Sequence, residues 1–332
     1  MTNILEYHIL QGTVSTNALP EGPSTFAASL LTDKAYTNVT RGQNVIINKQ
    51  PGDVVVFTTG SGSRSTLLKG DITFTGGLIQ VVDTLLVPPS RLEPTARDSY
   101  PDLTAFLGAL YAARLVPQFA DLANVTIFAP RNAAFQLVSG ALSALKPDEL
   151  ARVLQYHLLP GRVLASSTLF DADGPNSTDT AAPQDGDGNG TVPLRITRAG
   201  NNLFVDAARV IQPDILIANG VVHMVDAVLN PDDAEQVPDP AQATQAPAFG
   251  LTGATSTGAG APTPFTTALP CTVDCPITTT DGGEGGSSTS TSVRTTRSKA
   301  GVAGARCTGL AGVGAGVGLV GVGMGMGMLG IA

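Results

Sequence analysis

The chain has 332 residues and a formal net charge of -8, with 19 Lys and Arg against 27 Asp and Glu. Sparse cations with no basic cluster among aromatics leave a phosphate backbone nothing to hold, so nucleic acid is excluded as a partner. The cysteines, Cys271, Cys275 and Cys307, all lie late in the chain, so the folded part must stand on apolar cores rather than disulfides.

The first elements lie in residues 1–89. "LEYHILQG" (5–12) reads as the end of a helix and its exit turn, "NVIINKQPGDVVVF" (44–57) as two strands around Pro51-Gly52, and "GGLIQVVDTLLVPP" (76–89) as a closing strand stopped by proline. The same order recurs: "YHILQGTV" matches "YHLLPGRV" (156–163), and "GGLIQVVDTLLVPP" matches "NGVVHMVDAVLNPD" (219–232). The offset drops from 149 to 143 residues, so the chain is a tandem of two modules. The second copy carries a long helical stretch before its Gly161, whereas little precedes Gly12. The first module is therefore expected to lack its amino-terminal half, with the natural start and any secretory leader upstream of residue 1.

Residues 90–98 read as a linker and 99–232 as the complete module. Leu103, Phe106, Leu107 and Leu110 recur at helical spacing, predicting a helix over 102–120 broken near Pro117. "VTIFAP" (125–130) is a short apolar strand, with Asn132 in a turn or cap position after it. Pro147 opens a helix with Asp148 and Glu149 in its first turn, and Leu150, Val153, Leu154 and His157 form one stripe that Pro160-Gly161 ends. Residues 171–191 read as an extended acidic loop. "VPLRITRAGNNLFVDAARVI" (192–211) then alternates around a hairpin turn at 200–202. Helices first and strands after define an α+β module with the sheet as a wall for the helices.

His157 on an apolar stripe points to a buried, hydrogen-bonded imidazole, against the alternatives of a partner-binding edge with Tyr156 or a hydrolase using His157. The enzyme reading fails by counting. His223 is matched by Gln80 in the first copy, and nucleophile-elbow, paired-histidine zinc and phosphate-loop spacings are all missing from the sequence. No cofactor is expected. "DGDGNG" (185–190) resembles half of a calcium loop, but Ile196 stands where a bidentate Glu is needed, so no metal is expected either. Asp83 and Asp226 occupy matching places after the closing strands, read as turn ties or as part of a recognition surface.

Four N-glycan acceptor tripeptides begin at Asn38, Asn124, Asn176 and Asn189, which points to passage through the glycosylation pathway. Residues 233–300 are rich in Pro, Ser, Thr and Gly and read as an O-glycosylated stalk. Within it, Cys271 and Cys275 either close a small ring or remain as free or intermolecular thiols. The terminal stretch 301–332 ends in a long uncharged run. It reads as a signal for glycosylphosphatidylinositol attachment, with Ser298, Ala300 and Gly301 as candidate attachment residues, against a retained membrane segment or a disordered tail.

Together "TIFAPRNAAF" (126–135), "YHLLPGRV" (156–163) and "NGVVHMVDAVLNP" (219–231) resemble the conserved segments and intervening Tyr-His motif of fasciclin-like domains. The resemblance implies helices packed against a β-sandwich-like wedge of strands, one copy truncated and one complete, and a role in adhesion or matrix attachment. The architecture looks like that of fungal surface proteins carrying a glycolipid anchor. In animal relatives the Tyr-His region and a later Asp-Ile segment are implicated in integrin binding. By residue match those roles carry to Tyr156, His157, Asp214 and Ile215, and to Tyr7 and His8 in the first copy. The expected function is non-enzymatic adhesion or wall binding at the outer face of the plasma membrane or in the wall, with a secreted or vacuolar location as the alternative. The partner would be a surface or wall protein or glycan, and the membrane would be reached through the glycolipid anchor. The competing function is a structural wall glycoprotein with no specific partner.

Overall fold

A computed structural model of the chain describes residues 2–170, 176–184, 190–234, 236–242, 244–249 and 263–270, all within one compact unit, Met1–Cys275. The first module opens with helix α1 (Thr2–Tyr7) and continues into strands β1 (Ser24–Ala28), β2 (Asn44–Gln50), β3 (Val54–Thr58), β4 (Arg64–Phe74) and β5 (Gly77–Val82). They form an antiparallel sheet in chain order. Val45, Ile47, Val55 and Phe57 pack against Tyr7, Leu31 and Leu86, as strand alternation requires of a sheet with one covered face. The β2–β3 turn places Gly52 and Asp53 at φ 83° and 61°, a left-handed backbone that Gly adopts freely and Asp tolerates.

The second module begins with α2 (Leu92–Pro94), whose Leu92 is buried with the following Thr95 and Ala96. Within the expected linker 90–98, residues 92–98 form helical turns, with Leu92, Thr95 and Ala96 buried. Next come α3 (Thr104–Ala112), α4 (Val116–Asp121), β6 (Val125–Pro130), α5 (Asn132–Leu137), α6 (Ser139–Ala144), α7 (Pro147–Tyr156), β7 (Leu158–Leu159) and α8 (Ser166–Phe170). Strands β8 (Asn176–Pro183), β9 (Thr191–Ala199), β10 (Asn202–Val205), β11 (Ala208–Ile217) and β12 (Gly220–Val225) complete it. The helix expected over 102–120 breaks at Arg114, which has φ 57°, and Pro117 instead sits in the first turn of α4, where its missing N–H costs nothing.

The seven strands lie in the order β7-β6-β12-β11-β10-β9-β8, with β6 and β12 parallel and the other pairs antiparallel. Every residue of β6 and β12 is buried because both faces are covered, which is why these strands read as continuous apolar runs. One face carries the helical core of Phe106, Leu107, Phe119, Phe135 and Leu154. The other carries Phe128, Tyr156, Leu194, Leu203 and Val205. Gly220 is required at the seam of the parallel pair, since a Cβ there would lie 1.9 Å from the Val125 carbonyl oxygen.

Two further expectations change. Within the acidic stretch 171–191, residues 176–183 form β8 and pair with β9, with Thr180 and Ala182 buried; alternating small residues suffice once β9 offers its edge. The supposed stalk from 233 also returns to the module. Phe249, Phe265 and Leu269 pack on the helical core, the Phe265 ring meets Phe135 edge-on at 6.1 Å, and the Phe265 carbonyl lies where a Cβ on Gly108 would be, 2.2 Å away. Three apolar side chains and a glycine gap are enough to dock this strap. No helix among the described residues is long and apolar enough to cross a membrane. Asn189, Cys271, Cys275, Ser298, Ala300 and Gly301 lie outside the described residues.

Candidate functional site

The two Tyr-His pairs close their helices by the same construction. In the second module α7 is amphipathic because Leu150, Val153 and Leu154 face the core, and continuing that stripe places His157 inside, fully enclosed. His157 Nδ1 lies 2.8 Å from the Val153 carbonyl, and Nε2 accepts the Leu229 N–H at 3.0 Å. In the first, His8 Nδ1 lies 2.7 Å from the Ile4 carbonyl and Nε2 accepts the Leu86 N–H at 3.0 Å. An acceptor on one side and a donor on the other select the neutral tautomer with its proton on Nδ1. Burial lowers the His157 pKa to about 4. Each imidazole therefore bolts the end of a helix to the segment that follows the closing strand.

The tyrosines also point inward. Tyr7 and Tyr156 are fully buried. Tyr7 donates to the Asn44 carbonyl at 2.8 Å, while Tyr156 donates to Asp206 Oδ2 at 2.8 Å. Burial raises both phenols, and for Tyr156 the Asp206 charge adds to the effect. Asp206 also accepts the Arg195 N–H at 3.0 Å, and burial holds its carboxyl up at about 6.

Asp214 sits at a bulge in β11, with φ 62°. Its carboxylate accepts the Ser166 N–H at 2.8 Å and the Ser166 hydroxyl. His223 Nδ1 accepts the Asp214 N–H at 3.2 Å, and Nε2 faces the Leu164 carbonyl at 2.9 Å. The first module repeats this with other residues. Asp71, at φ 53°, accepts from Ser15 Oγ at 2.8 Å and from the Thr16 and Asn17 N–H groups. Gln80 accepts the Asp71 N–H at 2.8 Å and donates to Asp71 Oδ1 at 2.8 Å and to the Val14 carbonyl at 3.1 Å. The Gln80 bond, then those from Ser15 and the backbone, hold the Asp71 carboxyl well below the usual range. Gln80 replaces a histidine because both offer one acceptor and one donor on opposite sides.

Ser166, Asp214 and His223 are the three residue types of a hydrolytic triad, yet their order of contact forbids that chemistry. The serine donates to the carboxylate, and both imidazole nitrogens are engaged by backbone groups, so no base faces the hydroxyl. Asp83 and Asp226 complete the duplicated set. Asp83 Oδ1 accepts the Thr66 N–H at 2.7 Å, and Asp226 Oδ1 accepts the Arg209 N–H at 2.7 Å.

Of the residues carried over as partner-binding candidates, Tyr7, Tyr156, His157 and Ile215 are buried, and the Asp214 carboxylate is occupied by Ser166. His8 and Asp214 are partly exposed. In the structure the polar side chains among them serve as ties within their modules. Asp206, Ser166 and Asp71 escaped the sequence reading. Asp71-Ile72 stands 143 residues before Asp214-Ile215, at the offset already measured, and would have been found by applying it. Among the described residues no group of His, Cys, Asp and Glu is placed to hold a metal ion.

The fold and its duplicated ties define a pair of α+β modules of one type. The fasciclin domain model matches residues 1–88 and 101–231, well over half of the chain, and the protein belongs to the fasciclin domain family. A fasciclin-like arabinogalactan protein of Arthroderma benhamiae is 32% identical over 289 residues, covering 86% of this chain and 63% of the relative. One from Cercospora beticola is 31% identical over 200 residues, 59% of this chain and 50% of that protein. Human periostin is 25% identical over 241 residues, covering 71% of this chain and 26% of periostin. The chain thus spans only part of the length of these relatives. Among solved structures, a FAS1 domain pair from the insect cell adhesion molecule Fasciclin I matches with 16% identity and a TM-score of 0.38, over 70% of this chain and 81% of that one. The family is associated with cell adhesion and with cell-wall or extracellular binding, and its members are non-catalytic.

Proposed function

We propose that the protein is a non-enzymatic adhesion or wall-binding protein of the outer cell surface, retained by a glycolipid anchor and binding a wall protein or glycan through exposed faces of its modules. The observation that supports this most is the inward use of chemistry. In both modules the histidine or glutamine, tyrosine and aspartate side chains that could act on a substrate are taken up by hydrogen bonds within the module, fully buried for His157 to Leu229 and partly exposed for Gln80 to Asp71, which leaves the remaining outer surface to meet a partner. The names of the fungal relatives, fasciclin-like arabinogalactan proteins, favour a wall setting.

A second reading, a rigid spacer among wall polymers, is favoured by the seam between modules, where Gln43 Nε2 donates to the Ile217 and Ala218 carbonyls at 3.1 and 3.3 Å. Expression in cells deleted for the gene separates the two. Restored adhesion to wall material, with release of the protein by phosphatidylinositol-specific phospholipase, supports the first reading. Unchanged adhesion supports the spacer, and failure to release the protein beside a released anchored control removes the anchor.

A further inference from the structure

At the seam of the two modules lies a hollow of about 250 Å³ lined by Lys34, Tyr36, Asn38, Arg91 and Asp121. Tyr36 is 49% exposed, and Arg91 pairs with Asp121. Asn38 begins an acceptor tripeptide that ends at Thr40, and Tyr36 stands two residues before it. The Asn38 Oδ1 accepts from Lys34 Nζ at 2.9 Å, and Nδ2 donates one hydrogen to the Asp121 carbonyl at 2.7 Å. A carboxamide nitrogen carries two hydrogens, so the second can be replaced while the first keeps its bond.

We infer that Asn38 carries an N-linked glycan whose first N-acetylglucosamine occupies this hollow, its apolar face against the Tyr36 ring, and so ties the first module to the second. In the transfer step Nδ2 bonds to the anomeric carbon of a lipid-diphosphate-linked oligosaccharide. The carbon–oxygen bond to the diphosphate breaks, the lipid diphosphate leaves with the electron pair, and one amide proton is released. Asp121 follows Asn38 by 83 residues, so the sugar is in place before the seam partner is made and the second module folds around it. The ring supplies a flat, amphipathic platform, while Lys34, Arg91 and Asp121 offer hydrogen bonds to the sugar hydroxyls and acetamide. Asn124 is held in the same way, its Oδ1 accepting the Thr40 N–H at 2.7 Å and its Nδ2 donating to the Thr40 hydroxyl at 2.6 Å, but it does not line this hollow.

The inference rests on the extracellular reading, and one experiment tells their failures apart. The full chain is secreted from a glycosylating host, its glycopeptides are mapped by mass spectrometry, and the glycans are trimmed enzymatically to a single N-acetylglucosamine before thermal melting. Asn38 should be occupied, and Asn38→Gln should lower the melting temperature by about 2–4 °C, the scale of 1 kcal/mol for a unit this size. Tyr36→Ala should cost a similar shift in the glycosylated protein and less than half of it in the Asn38→Gln background. An unoccupied Asn38 beside a glycosylated Asn176 or Asn189 overturns the inference, as does an equal cost of Tyr36→Ala in both backgrounds. A secreted chain without glycan at any acceptor overturns it together with the passage through the glycosylation pathway.

Discussion

Replacing His157 by alanine tests the central tie. The imidazole is fully enclosed, 6.3 Å from the Phe106 ring between centroids, and holds Val153 at 2.8 Å and Leu229 at 3.0 Å. Alanine leaves the Leu229 N–H buried and without its acceptor, at about 1–3 kcal/mol, and opens a cavity where the ring packed, for about 1 kcal/mol more. The sum, about 3 kcal/mol, should lower the melting temperature of the second module by roughly 10 °C. Differential scanning calorimetry of the full chain reads the shift. The matching His8→Ala change should cost less, because His8 is only partly buried. A loss below about 2 °C for His157→Ala, or an equal loss at both sites, would refute the reasoning that burial gives this bond its strength.

Two buried groups of the second module titrate with opposite sign. His157, at about 4 against 6.5 in an unfolded chain, contributes fully above pH 6.5 and loses its contribution as pH falls toward 4, by about 3 kcal/mol. Asp206, at about 6 against 3.8, contributes below pH 3.8 and loses its contribution as pH rises through 6. Asp206→Asn should therefore expose a steep loss of stability between pH 6.5 and 4 that is flatter in the wild type, measured by urea unfolding at stepped pH. His223→Gln should cost under about 1 kcal/mol, since Gln80 already fills that role beside Asp71, whereas His223→Ala should cost about 2 kcal/mol or more by the same melting assay. Gly108→Ala should displace the strap, because the added Cβ meets a carbonyl at 2.2 Å rather than a side-chain tip. Limited proteolysis should then cut between 250 and 270 while the core stays intact, and an unchanged cleavage pattern would count against the docking.

Repetition at a nearly constant offset and the periods of the apolar residues were enough to read two α+β modules, the start of α7 at Pro147, and the closing strands β5 and β12; α7 itself ends at Tyr156, ahead of the expected stop at Pro160-Gly161. These are local properties: a stripe at helical spacing or a β-branched run has the same meaning wherever it folds. The position of His157 on such a stripe likewise made its burial legible. Its bond to Leu229, 72 residues away, was not legible, because nothing in the local pattern says which N–H a ring nitrogen will meet.

The same limit explains the residues whose roles changed. Tyr156 looks amphipathic and available in sequence, but the strands that follow bring Asp206 to its hydroxyl across 50 residues. Asp214 reads as an exposed acidic residue in "QPDIL" until the β11 bulge turns it toward Ser166. The strap around Phe265 is masked by its polar neighbours, and only the gap over Gly108 reveals its seat. Sequence by itself determined the number of modules, their class and their family, through periodicity and repeated motifs that are short-range. Tertiary structure decided which polar side chains face inward and what Asn38 faces, since those depend on strands and helices converging from distant parts of the chain.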